Sequence, residues 1–164
     1  MSDARRSLLI VDDEETIHRA LDRTLRREPY ERLHAYDAAE AWAILQQNPD
    51  VVGVLCDHYM PGTLGLGFLM EVRHRFPALV TMILTAQADL ELVVQAINLG
   101  HIHRFWTKPW EPDELRREIR VLLCGEKPME GERQIARTED RLRKEVGLAR
   151  DESGAFLLQD PETL

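Results

Sequence analysis

Ser7 to Glu15 reads SLLIVDDEE, and this stretch decides the fold. Five apolar or small residues run without alternation, as in a strand buried on both faces, and then stop at two carboxylates. The motif recurs along the chain. VVGVLC ends at Asp57, LVTMIL at Thr85 and HRFWT at Lys108. In an open α/β sheet, ligands bind beyond the carboxyl ends of the strands, so residues distant in sequence converge on one edge. Asp12, Asp13 and Asp57 would share that edge with a hydroxyl, Thr85, and an ammonium, Lys108. The set suits a hard divalent cation together with a phosphoryl group.

Between these runs the helical period appears. Ile17, Leu21 and Leu25 form one stripe over a predicted helix from Glu14 to Arg27, closed by Pro29. Strand two is expected over Arg32 to Tyr36, and Asp37 as the N-cap of a helix carrying Ala41, Ile44 and Leu45. Strand three spans Val51 to Cys56. The segment HYMPGTLG reads as a turn, and a helix with Leu66, Leu69, Met70 and Val72 follows it. Strand four covers Leu79 to Leu84. Gln87 to Asp89 lead into a helix holding Leu92, Val93, Ala96 and Ile97, which Gly100 ends. Strand five covers Ile102 to Thr107, and the fifth helix Pro112 to Leu123, with Leu115, Ile119 and Leu122 inward. Five βα units predict a doubly wound, flavodoxin-like α/β fold, its parallel five-stranded sheet in spatial order 2-1-3-4-5 counted along the chain.

Residues 6–124 are expected to form this domain. Residues 125–164 are read as an extension: a linker, GEKPMEG, then a charged helix from Glu130 to Arg150, then a short tail. Ile135, Leu142, Val146 and Ala149 are that helix's sparse seam, supported by Glu139–Arg143 and Asp140–Lys144 pairs. The tail holds one apolar run, Ala155 to Leu158.

Composition narrows the function. The chain has 164 residues, is 44% hydrophobic and carries a formal net charge of −8, which argues against direct nucleic-acid binding. Two cysteines, Cys56 and Cys124, give neither a disulfide framework nor metal spacing. A polar start, MSDARR, and short apolar runs lead us to expect no signal peptide, no membrane span and a cytoplasmic location.

With VDDEE after strand one, Asp57 in CDHYMPG, Thr85-Ala86 after strand four and Thr107-Lys108-Pro109 after strand five, the chain resembles the receiver domain of two-component response regulators. AINLGHIHRFWTKPW further resembles receivers attached to HD-type cyclic-di-GMP phosphodiesterases and to hydrogenase-type transcriptional regulators. The resemblance implies a signalling phosphoprotein rather than an enzyme. Asp57 would accept a phosphoryl group from a histidine kinase or phosphotransfer protein. Mg²⁺, with Mn²⁺ as the alternative, would be held by Asp13 and Asp57 directly, by Asp12 through water and by the backbone carbonyl of Tyr59. Lys108 and Thr85 would contact the phosphoryl oxygens, and Phe105 would turn inward as a switch when Thr85 moves. An output protein, and a weak homodimer through the fourth helix, fifth strand and fifth helix with help from the tail helix, would receive the signal.

Several readings compete residue by residue. A lone Asp at a strand end is usually a helix cap, and a lone Thr or Lys there is usually solvated. Trp106 alternates with Phe105 and is assigned to the core, whereas Trp110 suits a partner surface and a packing plug equally. His58 is not assigned as a base. His101 and His103 lack a third metal ligand. Leu64 stands where the family commonly has a polar residue, and Tyr59 is bulky enough to shield an acyl phosphate. At the level of the whole chain the alternatives are a pseudo-receiver, serving dimerisation without phosphorylation, and a phosphatase of the haloacid-dehalogenase type. The latter needs a DxDx(T/V) motif that VDDEE does not supply.

Overall fold

The computed structural model describes residues 5–86, 90–125, 148–153 and 155–158. The main sheet is built from β1 (Ser7–Val11), β2 (Glu31–Ala35), β3 (Val51–Asp57), β6 (Val80–Thr85) and β7 (Arg104–Thr107). Its spatial order is β2-β1-β3-β6-β7, and every pairing is parallel. Once two two-residue strands, β4 (Tyr59–Met60) and β5 (Thr63–Leu64), are set apart, this is the expected 2-1-3-4-5 order. Among the described residues those two pair with each other alone, turning HYMPGTLG into a miniature antiparallel hairpin.

Five helices cover the sheet: α1 (Glu15–Thr24), α2 (Ala38–Gln47), α3 (Gly65–Arg75), α4 (Leu90–Asn98) and α5 (Pro112–Cys124). Alternation along the strands sorts the core into two layers. Leu9, Val11 and Phe105 face α2, α3 and α4, where Ala41, Leu45, Phe68, Leu69, Val72, Val93 and Ala96 are buried. Leu8, Ile10 and Trp106 face α1 and α5, where Leu21, Leu25, Leu115 and Ile119 are buried. Leu122, expected inward, is only half-buried.

Local signals account for most helix ends. The Asp37 carboxylate accepts from the Glu40 N–H at 2.7 Å, capping α2 as expected. Glu111 caps α5, accepting from the N–H groups of Asp113 and Glu114, with Pro112 in the first turn. Gly125 closes α5 at φ 64°, in the left-handed region that glycine enters at little cost. α1 stops at Thr24, short of the expected Arg27.

The extension departs from expectation. Residues 126–147, and with them Ile135, Leu142, Val146 and both expected ion pairs, lie outside the described residues, as do Gln87 to Asp89. The last three positions of the expected helix are a strand, β8 (Leu148–Arg150), paired antiparallel with β9 (Phe156–Leu158). The apolar run at Ala155 to Leu158 needs a pairing partner and a surface to cover, and at Leu148 to Arg150 that tertiary contact wins over helix propensity. β9 lies against α4, and Leu158 packs on the core layer that holds Val93, Val94 and Ala96.

Candidate functional site

The carboxyl edge of the sheet gathers the residues singled out from sequence. Asp12 and Asp13 follow β1, Asp57 ends β3, Thr85 ends β6 and Lys108 follows β7. The parallel register places Cys56 beside Val11 and Thr85 beside Thr107, so all five sit at one level. One carboxylate oxygen from each of Asp12, Asp13 and Asp57 falls within 4.8 Å of the others. An octahedral Mg²⁺ spans about 4.2 Å between opposite ligands, so this donor set closes on that ion with little movement.

Burial differs among the three. Asp12 is 1% exposed and Asp57 8%, whereas Asp13 lies open to solvent. The Lys108 ammonium bridges the buried pair, at 3.1 Å from Asp12 Oδ2 and 3.3 Å from Asp57 Oδ1. Burial pushes the Asp57 carboxyl up; Lys108 opposes this and Asp12 adds to it, leaving a net rise. Burial pulls the Lys108 ammonium down, but Asp12 and Asp57 outweigh it and the net shift is upward. The site is therefore an electrostatically loaded cluster in which one cation faces two buried carboxylates.

Backbone contacts fix these side chains. The Asp12 Oδ1 accepts from the Glu14 N–H at 2.8 Å, binding one carboxylate oxygen to the start of α1. The Lys108 N–H donates to the Thr85 carbonyl at 2.9 Å, which locks the ends of β6 and β7 together before a cis Lys108–Pro109 peptide. The Tyr59 N–H donates to the Asp57 carboxylate. Thr85 is fully buried, and its hydroxyl donates to the Ala86 carbonyl at 3.1 Å.

Other expectations find their places. Phe105 is buried in the layer under α4, and Trp106 fills the opposite layer, its Nε1 donating to Glu118 Oε2 at 2.5 Å. Trp110 is a half-buried plug whose Nε1 donates to Thr24 Oγ1 at 3.2 Å. His101 and His103 precede β7 rather than lying on it, and the His103 Nδ1 accepts from the Thr81 N–H at 3.0 Å. His58 is buried, and neither ring nitrogen has a hydrogen-bond partner among the described residues. Tyr59 and Leu64 pair across the β4–β5 hairpin, 58% and 55% exposed, as an apolar rim beside Asp57.

Two supports escaped the sequence reading. A Cβ added to Gly65 would stand 2.0 Å from the Asp57 carbonyl oxygen, while the Gly65 N–H donates to the His58 carbonyl at 2.7 Å. The HYMPGTLG composition signals a turn, but not that the turn folds back onto the Asp57 peptide. His18, buried on α1, has its Nε2 2.7 Å from the Asp12 carbonyl, which accepts, and its Nδ1 2.6 Å from His34 Nδ1. Only its place on the apolar stripe side of α1 hinted at an inward role.

The family model of the response regulator receiver domain matches residues 8–120. This chain belongs to the response-regulator receiver family. Receivers recur among its relatives. It is 40% identical over 120 residues to the hydrogenase transcriptional regulatory protein HoxA of Cupriavidus necator, covering 73% of this chain and 24% of that protein. It thus spans about a quarter of the regulator's length. Against the chemotaxis protein CheY1 of Helicobacter pylori it is 33% identical over 119 residues, covering 71% of this chain and 95% of that one. The crystal structure of the signal receiver domain of an HD domain-containing protein from Pseudomonas fluorescens superposes with a TM-score of 0.68 at 32% identity, covering 74% of this chain and 96% of that one. Both sub-groups expected from AINLGHIHRFWTKPW are thus represented. The receiver is a module of two-component signalling. Among the described residues, no helix is long and apolar enough to cross a membrane.

Proposed function

We propose that this receiver takes a phosphoryl group onto Asp57 from a phosphohistidine partner and changes its protein contacts in response. The observation that carries the reading is the buried Asp57 carboxylate, held 3.3 Å from Lys108 and clustered with Asp12 and Asp13. An Asp57 carboxylate oxygen attacks phosphorus, an O–P bond forms, and the P–N bond to the donor imidazole breaks. Asp13, Asp57 and the Tyr59 carbonyl would hold Mg²⁺ or Mn²⁺ directly, with Asp12 reaching it through water. When bound, the ion neutralises charge on the phosphoryl oxygens.

Lys108 already sits on the acceptor and needs only to exchange a carboxylate oxygen for a phosphoryl oxygen as charge builds there. Thr85 can serve a second phosphoryl oxygen by giving up the Ala86 carbonyl, which moves the loop leading into α4. Phe105, on the neighbouring strand, packs under that helix and is the second half of the switch. The Tyr59–Leu64 rim would shield the acyl phosphate from water. A donor must rest on the rim of the site. There, a cleft of about 760 Å³ opens beside Lys108 between α1 and the start of α5, lined by Ile17, Ala20, Thr24, Trp110 and Arg116. We assign histidine kinase or phosphotransfer protein as the donor, and an output protein or second copy as the receiver of the signal.

Intact-mass analysis after treatment with acetyl phosphate and Mg²⁺ tests this. One added phosphoryl group is expected, lost without divalent cation and absent from Asp57→Asn. Labelling of Asp57→Asn to the wild-type extent would overturn the assignment, and a wild-type chain that takes no phosphoryl group would favour the pseudo-receiver.

A further inference from the structure

The C-terminal hairpin covers a helix that follows directly from the candidate switch. β8 and β9 are three residues each and, among the described residues, pair only with each other. An isolated two-stranded hairpin of this size is not stable in water, so its order depends on the surface it rests on. That surface is α4. Leu158 is half-buried against the layer containing Val93, Val94, Ala96 and Phe105. Cover and candidate switch thus share one apolar cluster.

The cover is incomplete. Leu92 on α4 and Leu99, one residue past its end, remain 48% and 71% exposed. A partner laid along α4 would bury these two side chains as well as the hairpin's footprint, and would gain apolar area that the hairpin cannot. Thr85 ends β6 and α4 begins at Leu90, so a shift of the Thr85 loop reaches the helix through a very short connection. The stretch 126–147 joins the hairpin to α5 and keeps it tethered after release.

We propose that β8–β9 is an intramolecular occupant of α4, competing with any partner chain for that helix, and that phosphorylation loosens it. The second half rests on the reading of Asp57 as acceptor. The hairpin sits at the weak end of the fold's stability range, because each strand is three residues long and β9 rests on α4 at the edge of the domain. It is therefore a cover that can be displaced without unfolding the sheet.

Hydrogen–deuterium exchange on the full chain, wild type against Leu158→Asp, reads the inference. In the unmodified wild type, peptides spanning 90–98 and 148–158 should exchange at least tenfold more slowly than in Leu158→Asp. Peptides from β1, β3 and α5 should be the same in both and report that the fold is intact. If Leu158→Asp disturbs those peptides, Leu158→Ser repeats the comparison with a smaller change. Equal exchange of α4 and hairpin in wild type and variant would overturn the occupant. Protection that vanishes on dilution would place a second copy's hairpin there and overturn the intramolecular assignment.

Treatment with acetyl phosphate and Mg²⁺ should bring wild-type hairpin exchange toward the variant's level. Intact mass taken on the same sample shows whether Asp57 was modified. A modified chain with unchanged hairpin exchange overturns the coupling, whereas an unmodified chain counts against the acceptor reading alone and leaves the Leu158→Asp result to decide the occupant.

Discussion

The two faces of the sheet are held by different forces. Under α1 and α5 the apolar layer is bordered by buried charge. The Glu28 side chain is fully buried and meets Arg120 twice, at 2.7 and 2.5 Å, with Arg116 at 4.0 Å. Glu118, 3% exposed, takes the Trp106 Nε1–H and lies 4.0 Å from Arg104. Such pairs add little net stability when whole, but they cost heavily when one partner is removed, so they fix geometry. The face under α2, α3 and α4 has a core layer of side chains from Leu9 to Phe105 with no buried ion pair among the described residues, though Thr81 is tied to His101 and His103, and at α4 it ends in the hairpin's cover. One face is a frame pinned by buried ion pairs. The other relies more on non-directional packing. Under the proposed function, a module that keeps Asp57 in place while changing partners would use both.

Cutting the frame gives the largest effect. Arg120→Met leaves Glu28, among the described residues, with the distant Arg116 as its cation, and should cost about 3 kcal/mol in urea denaturation. A loss under 1 kcal/mol would mean that the two faces do not differ in this way. Trp106→Phe keeps the ring's burial but strips Glu118 of its shortest bond, and a cost of about 2 kcal/mol is expected from the same measurement.

The third prediction concerns the edge where the faces meet. Burial, and Asp12 beside it, hold the Asp57 carboxyl above the ordinary range despite Lys108, so the folded chain keeps that proton more tightly than the unfolded one. This group's contribution is present at low pH and is lost as pH rises through the folded titration. Without divalent cation, Asp57→Asn should therefore overtake the wild type in melting temperature as pH rises from the acid range to neutrality. Mg²⁺ at about ten times its Kd should return about 1.4 kcal/mol to the wild type, and less at that concentration to Asp13→Ala. Equal gains would place the ion elsewhere. The smallest effect belongs to the hairpin's cover on α4: Leu158→Ala should lower global stability by no more than about 0.5 kcal/mol, the usual range for sites outside the core.

The sequence made the frame of the molecule legible and left its upholstery hidden. Runs such as SLLIV and VVGVLC are unbroken because their strands are buried on both faces, and each led to a strand within two residues of its expected bounds. The acidic cluster was readable because α/β topology forces strand ends together whatever lies between them. Asp37 and Gly100 were readable because caps and left-handed turns are local chemistry; Gly100 indeed has φ 76°. What failed was whatever depended on a distant surface. The seam ending at Ala149 suited a helix, yet Ala149 pairs with Leu157 in a strand. Likewise, the bond from Trp106 to Glu118 spans twelve residues and leaves no periodic trace. Lys108 was assigned to an incoming oxygen, and its present bond to Asp12 had no local signal.

Gly65 gives Asp57 a property that no side-chain list contains. With a Cβ at that position 2.0 Å from the Asp57 carbonyl oxygen, the loop and the strand end share one clearance, set by the absence of a single methyl group. The position of the Asp57 carboxylate is thus machined to a tolerance carried by its own peptide plane. A Gly65→Ala chain would keep every charged group of the site, and would detune it by moving the backbone on which that carboxylate is mounted.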